Sequence, residues 1–248
     1  MIQKIFKKIW QRLKALIGGL FWYAGDLLKY RKLWQQAGVA GKFKYFPQFF
    51  DKDPASHTFD KHYVYMDRWA FKHLLAVRPK EHVDVGSSIR FLSMASCAVK
   101  LKFVDIRPVK LDFDNFECVE GSILNLPFRD NSVNSLSCLH VAEHIGLGRY
   151  GDPLDAHGTE KACLELKRVL APGGKLYFAL PIGKTATYFN AHRVHSPTAI
   201  ISEYFSGLKL LGFAAIGDDG HFAVSANPQD YERANYACGC FEFTKPDR

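Results

Sequence analysis

Apolar residues recur along this chain with two different periods. In residues 2–20 they lie three or four positions apart with lysine and arginine between them, which predicts an amphipathic helix. The stretch HYVYMDRWAFKHLLAV has the same helical spacing. From residue 81 onward, short apolar runs end in Gly, Ser, Pro or an acid, and such runs predict strands.

The strand-like runs alternate with helical segments. Five of them are EHVDVGSS, LKFVDIRPV, FECVEGSILNLPF, SVNSLSCLHVAEH and KLYFALPIG, and the helical segment HGTEKACLELKRVLAPGG precedes the fifth. The runs LKLLGFAAIG and YACGCFEFTK near the end predict two more strands. This alternation predicts an α/β fold with a mostly parallel sheet. We therefore divide the chain into an amphipathic helix (1–35), a connector with a helical cap (36–78) and a sheet domain (79–248) with a polar insert at about 217–235.

The basic charge lies at the N-terminus. Residues 1–35 carry eight basic side chains and one acid, so they account for nearly all of the net charge of +8. The uncharged run 15–25 is shorter than the roughly 20 apolar residues that a membrane-spanning helix needs. We predict that this helix lies flat on an anionic membrane surface, with Trp10, Phe21 and Trp22 as interfacial anchors. The alternative is a helix that packs on its own domain.

The rest of the chain is close to electrically neutral, which argues against a nucleic-acid partner. Its six cysteines are scattered without a C-x-x-C pair, which is typical of reduced cytosolic thiols. We therefore expect a cytoplasmic protein that associates peripherally with the inner membrane. Cys238 and Cys240 alternate along a predicted strand and point to the same face, so a redox or metal role for this pair is an alternative.

Polar residues follow three consecutive predicted strands. Asp84, Gly86 and Ser87 end the first, and Asp105 ends the second, 19 residues after Gly86. That spacing suits a carboxylate that accepts hydrogen bonds from the ribose hydroxyls of a nucleoside. The GSILNLPF loop after the third strand places Ser122 and Ile123 at the same edge of the sheet.

The segments HVDVGSS, VDIRP, EGSILNLPFRDNSVNSLSCLHVAEHI and LKRVLAPGGKLYFALP resemble motifs of class I S-adenosylmethionine-dependent methyltransferases, especially the type-11 group. The resemblance covers about residues 80–182. It implies a Rossmann-like fold with a mostly parallel seven-stranded sheet and an antiparallel last strand. Ser88 stands at the second glycine of the usual loop, Ser122 at the aspartate of the G-D pair, and Asn134 at another usual aspartate.

The resemblance also assigns the cofactor, S-adenosylmethionine, to particular residues. Asp84, Gly86 and Ser87 would surround its methionine part, and His140 would lie beside the sulfonium. The ribose and adenine would contact Asp105, Ile106, Ser122 and Ile123.

A hydroxyl acceptor needs a base near the attacking oxygen. We predict His144, His192 or Asp152 as this base, because each lies in a loop expected at the carboxyl edge of the sheet. Arg149 and Arg193 are expected to bind an acidic group on the acceptor. The other predicted substrate-binding residues are Glu143, Tyr150 and Asn190.

The segments EHIGLGRYGDP, FNAHRVHSP and DDGH more narrowly resemble a domain-of-unknown-function group first described in nematodes, whose bacterial members often accompany surface-polysaccharide genes. We therefore expect O-methylation of a glycan or of its nucleotide- or lipid-linked precursor, with glycan-assembly enzymes as further partners. A non-catalytic protein that scaffolds or regulates polysaccharide assembly is the main alternative.

Two other enzyme classes are weaker alternatives. His140, Glu143 and His144 form an H-x-x-E-H pattern, which on a helix is typical of some zinc peptidases. Three glycines soon after it break a helical continuation, so we predict no metal site there. An RNA methyltransferase would need more cations than residues 36–248 supply.

Overall fold

The computed structural model describes residues 2–38, 41–48 and 59–247. The chain forms two compact units, Met1–Phe59 and Asp60–Arg248. The helical cap that the sequence analysis grouped with the connector thus belongs to the same unit as the sheet.

The first unit contains one long helix, α1 (Ile2–Gln36). Residues 41–48 pack against it, because Phe43 contacts the rings of Tyr30 and Trp34 at centroid distances of 6.2 and 5.5 Å. Leu13, Leu16, Ile17 and Leu20 are between 42% and 55% exposed and recur at helical spacing along α1. Among the described residues, no helix combines the length and apolarity needed to cross a membrane.

The second unit is built on one eight-stranded sheet with the order β3-β2-β1-β4-β5-β10-β8-β9. Strands β1 to β5 pair in parallel, and β10 is antiparallel to both β5 and β8. The strands are β1 (Glu81–Val85), β2 (Lys100–Asp105), β3 (Phe116–Glu120), β4 (Val133–Leu139), β5 (Leu170–Ile182), β6 (Ala186–Tyr188), β7 (His192–Val194), β8 (Lys209–Ile216), β9 (Phe222–Ala223) and β10 (Ala237–Thr244). Strands β6 and β7 form a separate hairpin.

Helices cover both faces of the sheet. On one face, α2 (Lys61–Val77) and α3 (Ile89–Ser96) bury Met66, Trp69 and Phe91 against the sheet. On the other, α4 (Gly158–Val169) packs Cys163 and Leu166 against it, together with a short segment formed by α5 (Pro197–Ala199) and a π-helical turn (Ile200–Tyr204). Because both faces are covered, β1 and β4 are buried at nearly every position, including the polar side chains of His82, Asp84, Ser135 and Ser137.

Side-chain caps fix where the first two of these helices begin. The carboxylate of Asp60 accepts hydrogen bonds from the backbone N–H groups of His62 and Tyr63, at 3.0 and 3.3 Å. The hydroxyl of Ser88 accepts one from Phe91 N at 3.2 Å. Ser88, which stands where the family motif has glycine, is therefore the N-cap of α3.

The predicted fold class is confirmed. The seven predicted strands correspond to β1 to β5, β8 and β10, and the last of these is the antiparallel one. The polar insert adds the two-residue strand β9 and a 3₁₀ turn (Pro228–Tyr231). Asp218 ties its two ends together, because its carboxylate accepts hydrogen bonds from the backbone N–H groups of Asn235 and Tyr236, each at 2.8 Å.

Candidate active site

A cavity of about 440 Å³ lies at the carboxyl ends of β1 to β4. Open α/β sheets bind ligands at this edge, and the volume lies within the range of small-molecule sites. Predicted site residues that line the cavity are Gly86, Ser87, Asp105, Ile106, Ser122, Ile123, His140, His144, Tyr150 and Asp152. The structure thus brings together residues from four separate loops.

The loop after β1 passes close to the cavity because Gly86 has φ +70°. A Cβ at this position would lie 2.9 Å from Cγ1 of Val141, so the loop has no room for a side chain there. The hydroxyl of Ser87 accepts a hydrogen bond from the backbone N–H of Leu139 at 3.1 Å, which links this loop to the end of β4. The first and fourth strand ends are therefore held together.

Asp84 lies beneath this loop and is not among the residues that line the cavity. Its carboxylate accepts hydrogen bonds from Ser87 N at 3.0 Å, from Ser87 Oγ at 2.7 Å and from Ser137 Oγ. Burial raises the pKa of Asp84 to about 7, although the hydrogen bonds from Ser137 and Ser87 oppose the rise. Asp84 therefore positions the loop, and direct contact with a cofactor stays a prediction.

A buried histidine extends this network. Nε2 of His82 lies 2.8 Å from Ser137 Oγ and Nδ1 lies 2.7 Å from Ser135 Oγ. Because Ser137 donates its proton to Asp84, we assign the donor role to Nε2–H and the acceptor role to Nδ1. Burial lowers the pKa of His82 to about 3, in agreement with this neutral form. No sequence motif marks either serine or His82 as part of the site.

Asp105 ends β2 at the cavity wall, where Oδ1 accepts a hydrogen bond from Arg107 N at 2.7 Å. Ile106 next to it is 42% exposed. In the loop after β3, Ser122 Oγ accepts a hydrogen bond from Leu124 N at 3.2 Å, and Ile123 is buried. A carboxylate, an apolar side chain and a hydroxyl thus line the cavity at the ends of β2 and β3, where the resemblance places the ribose and adenine.

The H-x-x-E-H residues converge on a carboxylate. Glu143 lies in a 3₁₀ turn (Ala142–His144) and is completely buried. Its Oε1 lies 3.2 Å from Nδ1 of His140 and 3.7 Å from Nε2 of His144. Burial opposes ionisation of Glu143, but the two histidines outweigh it and hold the pKa of this carboxyl below its usual value. The two histidines therefore flank Glu143, and a buried carboxylate is placed to orient both imidazoles.

His144 is also held from its other side, because its Nδ1 lies 2.6 Å from the carbonyl oxygen of Ala191. The ring of Tyr150 packs edge-on against it at 5.6 Å. The guanidinium groups of Arg107 and Arg149 lie 4.7 and 5.2 Å from the centre of the Tyr150 ring. This side of the cavity therefore combines an imidazole, an aromatic face and two cations.

Four predicted site residues have other surroundings. Arg193 is buried, and its guanidinium donates to the carbonyl oxygens of Ile145 at 2.5 Å and Asp155 at 2.8 Å, so it supports the 145–155 loop. His192 and Asn190 lie in or beside the β6–β7 hairpin and do not line the cavity. Asp152 lines the cavity, but its carboxylate accepts hydrogen bonds from the backbone of Gly146 and Tyr150.

Tyr63 and Arg107 also line the cavity, although the sequence analysis did not include them. Tyr63 comes from α2, more than 20 residues before β1 ends, and no motif marks it. Arg107 lies within VDIRP, two residues after Asp105, so its position in that motif was a usable signal.

The site fits S-adenosylmethionine by its own geometry. Gly86, which has no side chain, lines the cavity at the end of β1, and Asp105 offers a carboxylate at the next strand end. Close backbone approach after β1 and a carboxylate after β2 are what a nucleoside bound at this edge of the sheet requires. The residues that would hold the cofactor are therefore Gly86, Ser87, Asp105, Ser122 and Ile123.

Comparison with a family model agrees with the narrower resemblance. The family DUF268, described as Caenorhabditis protein of unknown function, matches residues 121–233. This range contains the three segments that carry the narrower resemblance, and it ends inside the polar insert. The sequence matches none of the curated proteins.

Solved structures share the fold at low sequence identity. The N-methyltransferase NodS from Bradyrhizobium japonicum, in complex with S-adenosylhomocysteine, is 13% identical to this chain, with a TM-score of 0.51. The match covers 81% of this chain and 92% of NodS. A second match is the 1,6-didemethyltoxoflavin-N1-methyltransferase from Burkholderia thailandensis with bound 1,6-didemethyltoxoflavin and S-adenosylhomocysteine. It is 14% identical, with a TM-score of 0.51, and the match covers 73% of this chain and 79% of the methyltransferase. The [4+2]-cyclase SpnF is 15% identical, with a TM-score of 0.52, and the match covers 73% of this chain and 81% of SpnF. The chain therefore has the class I methyltransferase fold. Because a cyclase shares it, the fold alone does not define the reaction.

Proposed function

We propose that this chain is an S-adenosylmethionine-dependent methyltransferase that O-methylates a sugar during surface-glycan biosynthesis at the cytoplasmic face of the membrane. The observation that carries the proposal is the composition of the 440 Å³ cavity. One wall has the residues expected around a nucleoside, and the other combines His144 and Tyr150 with nearby cations. The neighbours with bound S-adenosylhomocysteine support the cofactor through their shared fold.

In this proposal the cofactor supplies an electrophilic methyl group for in-line displacement. The Gly86 loop lets the backbone approach the methionine part, and Asp105 accepts hydrogen bonds from the ribose hydroxyls. His140, at the end of β4, lines the cavity where the two walls meet. Because transfer of a methyl group depends mainly on alignment, these contacts contribute chiefly by fixing orientation.

The acceptor wall provides a base for a hydroxyl group. Nδ1 of His144 donates to the Ala191 carbonyl, which leaves Nε2 to receive the proton of the attacking hydroxyl. Glu143, 3.7 Å from that Nε2, would stabilise the imidazolium that results. His144 is therefore preferred over His192 and Asp152 as the base.

The same wall suits a sugar. The guanidinium groups of Arg107 and Arg149, both packed over the ring of Tyr150, can bind an acidic substituent such as a phosphate or a uronate. The resemblance to a group that accompanies surface-polysaccharide genes supports a nucleotide- or lipid-linked sugar as the acceptor, and glycan-assembly enzymes as partners. The exposed apolar residues of α1 support attachment to an anionic membrane surface.

The direct test is methyl transfer from S-adenosylmethionine carrying a labelled methyl group. Nucleotide sugars and lipid-linked sugars would be offered as separate acceptors, with mass spectrometry of the product. We expect label on a sugar oxygen, and loss of transfer in His144→Ala with little change in binding of S-adenosylhomocysteine. Tight binding without transfer to any sugar would instead support the scaffold alternative.

A further inference from the structure

We propose that His62, His140 and Cys238 form a zinc site with one open coordination position. One ligand atom from each residue lies within 4.8 Å of the others, and this is the only such group of three His, Cys, Asp or Glu side chains that the described part of the chain contains. Two imidazoles and a thiolate are a ligand set that zinc prefers, and three protein ligands are typical of catalytic zinc sites. In a tetrahedral zinc site these ligand atoms lie about 3.3–3.6 Å apart, so side-chain shifts of about 1 Å would give tetrahedral coordination.

The three residues come from distant parts of the sequence. His62 lies in the first turn of α2, His140 follows β4, and Cys238 lies in β10. Nε2 of His140 lies 3.1 Å from Sγ of Cys238, and the rings of His62 and His140 are 5.6 Å apart. All three belong to the same compact unit, so the site depends on one folded body.

The buried Glu143 provides an independent observation that points to a metal. Both carboxylate oxygens are buried without a well-formed hydrogen bond, and Oε1 lies 3.2 Å from Nδ1 of His140. A zinc-bound histidine almost always presents its other ring nitrogen to a carboxylate or carbonyl, which fixes its tautomer. A proton on Nδ1, the nitrogen nearer Glu143, leaves the lone pair of Nε2 free toward Cys238 and the metal position.

The backbone of His140 supports the same conclusion. Its φ of +57° is an uncommon conformation for a residue other than glycine, and such residues concentrate at functional sites. This conformation occurs where the chain leaves β4 and turns the imidazole toward β10. The energetic cost of this backbone conformation is explained if the function of His140 is to hold its imidazole ring in this position.

A cysteine nucleophile is the competing explanation for a Cys–His pair with a carboxylate behind it. Cys238 is completely buried. A nucleophile has to reach its substrate, whereas a structural or metal-bound sulfur does not. The arrangement therefore favours a metal ligand.

The site lies between two cavities. His140 lines the 440 Å³ cavity, and His62 lines a second one of about 540 Å³ together with Lys61, Asp218 and Tyr236. The ring of Tyr236 stacks on His62 at 5.1 Å, and Asp218 holds the backbone of Tyr236. In a part of the inference that rests on the proposed function, an acceptor hydroxyl in the first cavity, which His140 also lines, takes the open position, where zinc would lower its pKa.

The test measures metal content in full-length protein purified without chelators. We expect about one zinc per chain, and after exchange with cobalt(II) a thiolate-to-cobalt charge-transfer band in the near ultraviolet. Cys238→Ser should lose the band, and His62→Ala should lose most of the zinc. Cys97→Ser, which changes an exposed thiol, and His73→Ala, on the same helix as His62, are controls, and they should keep the metal.

His62 is only partly buried, so His62→Ala keeps the test usable if the variant of Cys238 fails to fold. Circular dichroism and S-adenosylhomocysteine binding report folding and the cofactor site separately from the metal. Folded wild-type protein that takes up neither zinc nor cobalt would overturn the zinc site. So would metal content that is unchanged in both ligand variants, or a purified protein that contains copper in place of zinc. Failure of cofactor binding with intact zinc would refute the proposed function alone.

Discussion

Nδ1 of His140 lies 3.2 Å from Oε1 of Glu143, and both side chains are almost wholly buried. A buried carboxylate is costly unless positive or donor groups surround it, and here His144 approaches the same oxygen at 3.7 Å. The H-x-x-E-H segment therefore folds so that the carboxylate of Glu143 lies between the imidazoles of His140 and His144. Glu143 is a positioning residue, because it acts on both walls of the cavity through the two histidines.

Replacing Glu143 with glutamine should weaken metal binding at the proposed zinc site. The amide keeps the size of the side chain but removes the negative charge behind His140. Loss of such a carboxylate typically lowers zinc affinity about 10- to 100-fold. Competition with a chromogenic chelator measures the change, and Glu160→Gln, on the exposed start of α4, is the control. Equal zinc affinity in Glu143→Gln and wild type would contradict this role.

Replacing Gly86 with alanine should impair cofactor binding more than folding. Alanine disfavours φ +70° by about 1–2 kcal/mol, and its Cβ would also collide with Val141 at the cavity wall. Gly207→Ala is the matched control, since Gly207 has φ +87° but open space around its Cβ position. Both variants should lose stability in urea unfolding, and Gly86→Ala should lose more because of its collision with Val141, while only Gly86→Ala weakens S-adenosylhomocysteine binding, by about tenfold or more. Equal affinity in the two variants would count against a cofactor at this loop.

Asp84 should make the stability of the protein depend on pH. Its pKa of about 7 in the folded state lies above that of an unfolded aspartate, near 3.9. As pH rises between these values, the unfolded chain loses its proton first, so the free energy of unfolding falls by up to about 1.4 kcal/mol per pH unit and levels off above pH 7. Asp84→Asn should flatten this dependence in urea unfolding from pH 4.5 to 8, whereas Asp112→Asn, in an exposed loop, should not. A parallel pH profile for Asp84→Asn and wild type would show that Asp84 is ionised in the folded protein.

Two acidic substitutions on the apolar stripe of α1 should release the protein from membranes. Leu16→Glu combined with Leu20→Glu places charge where the proposal puts the interface, so sedimentation with anionic vesicles should fall by about tenfold or more. Gln35→Glu combined with Gln36→Glu adds the same charge at the end of the helix without removing apolar surface. That control should bind nearly as well as wild type. Unchanged binding of the leucine variant would defeat the membrane proposal.

The sequence predicted the order of elements well because strand ends carry local signals. Glycine and serine after β1 and the acid after β2 mark the carboxyl edge, so Gly86, Asp105 and Ser122 were placed correctly at one cavity. Arg193 shows the limit of this reasoning. Arginine suits an acidic substrate, but only the folded loop shows that two backbone carbonyls occupy its guanidinium.

Long-range contacts account for what the sequence could not show. The His62–His140–Cys238 cluster joins residues 78 and 98 positions apart, and no local spacing encodes such a meeting. Cys238 and Cys240 share a strand face, which suggested the pair as a unit, yet only Cys238 approaches His140. Ser88 likewise looked like a defect in a glycine loop, but its hydroxyl caps α3 and donates to Asp67 at 2.9 Å.

Calorimetric titration with S-adenosylhomocysteine tests the central claim most directly. We expect one site per chain, with affinity reduced about 10- to 100-fold in Asp105→Ala because the ribose loses hydrogen bonds to a charged group. Asp112→Ala, an exposed acid in the following loop, should bind like wild type. No binding by folded wild-type protein at millimolar ligand, or full affinity in Asp105→Ala, would contradict the account.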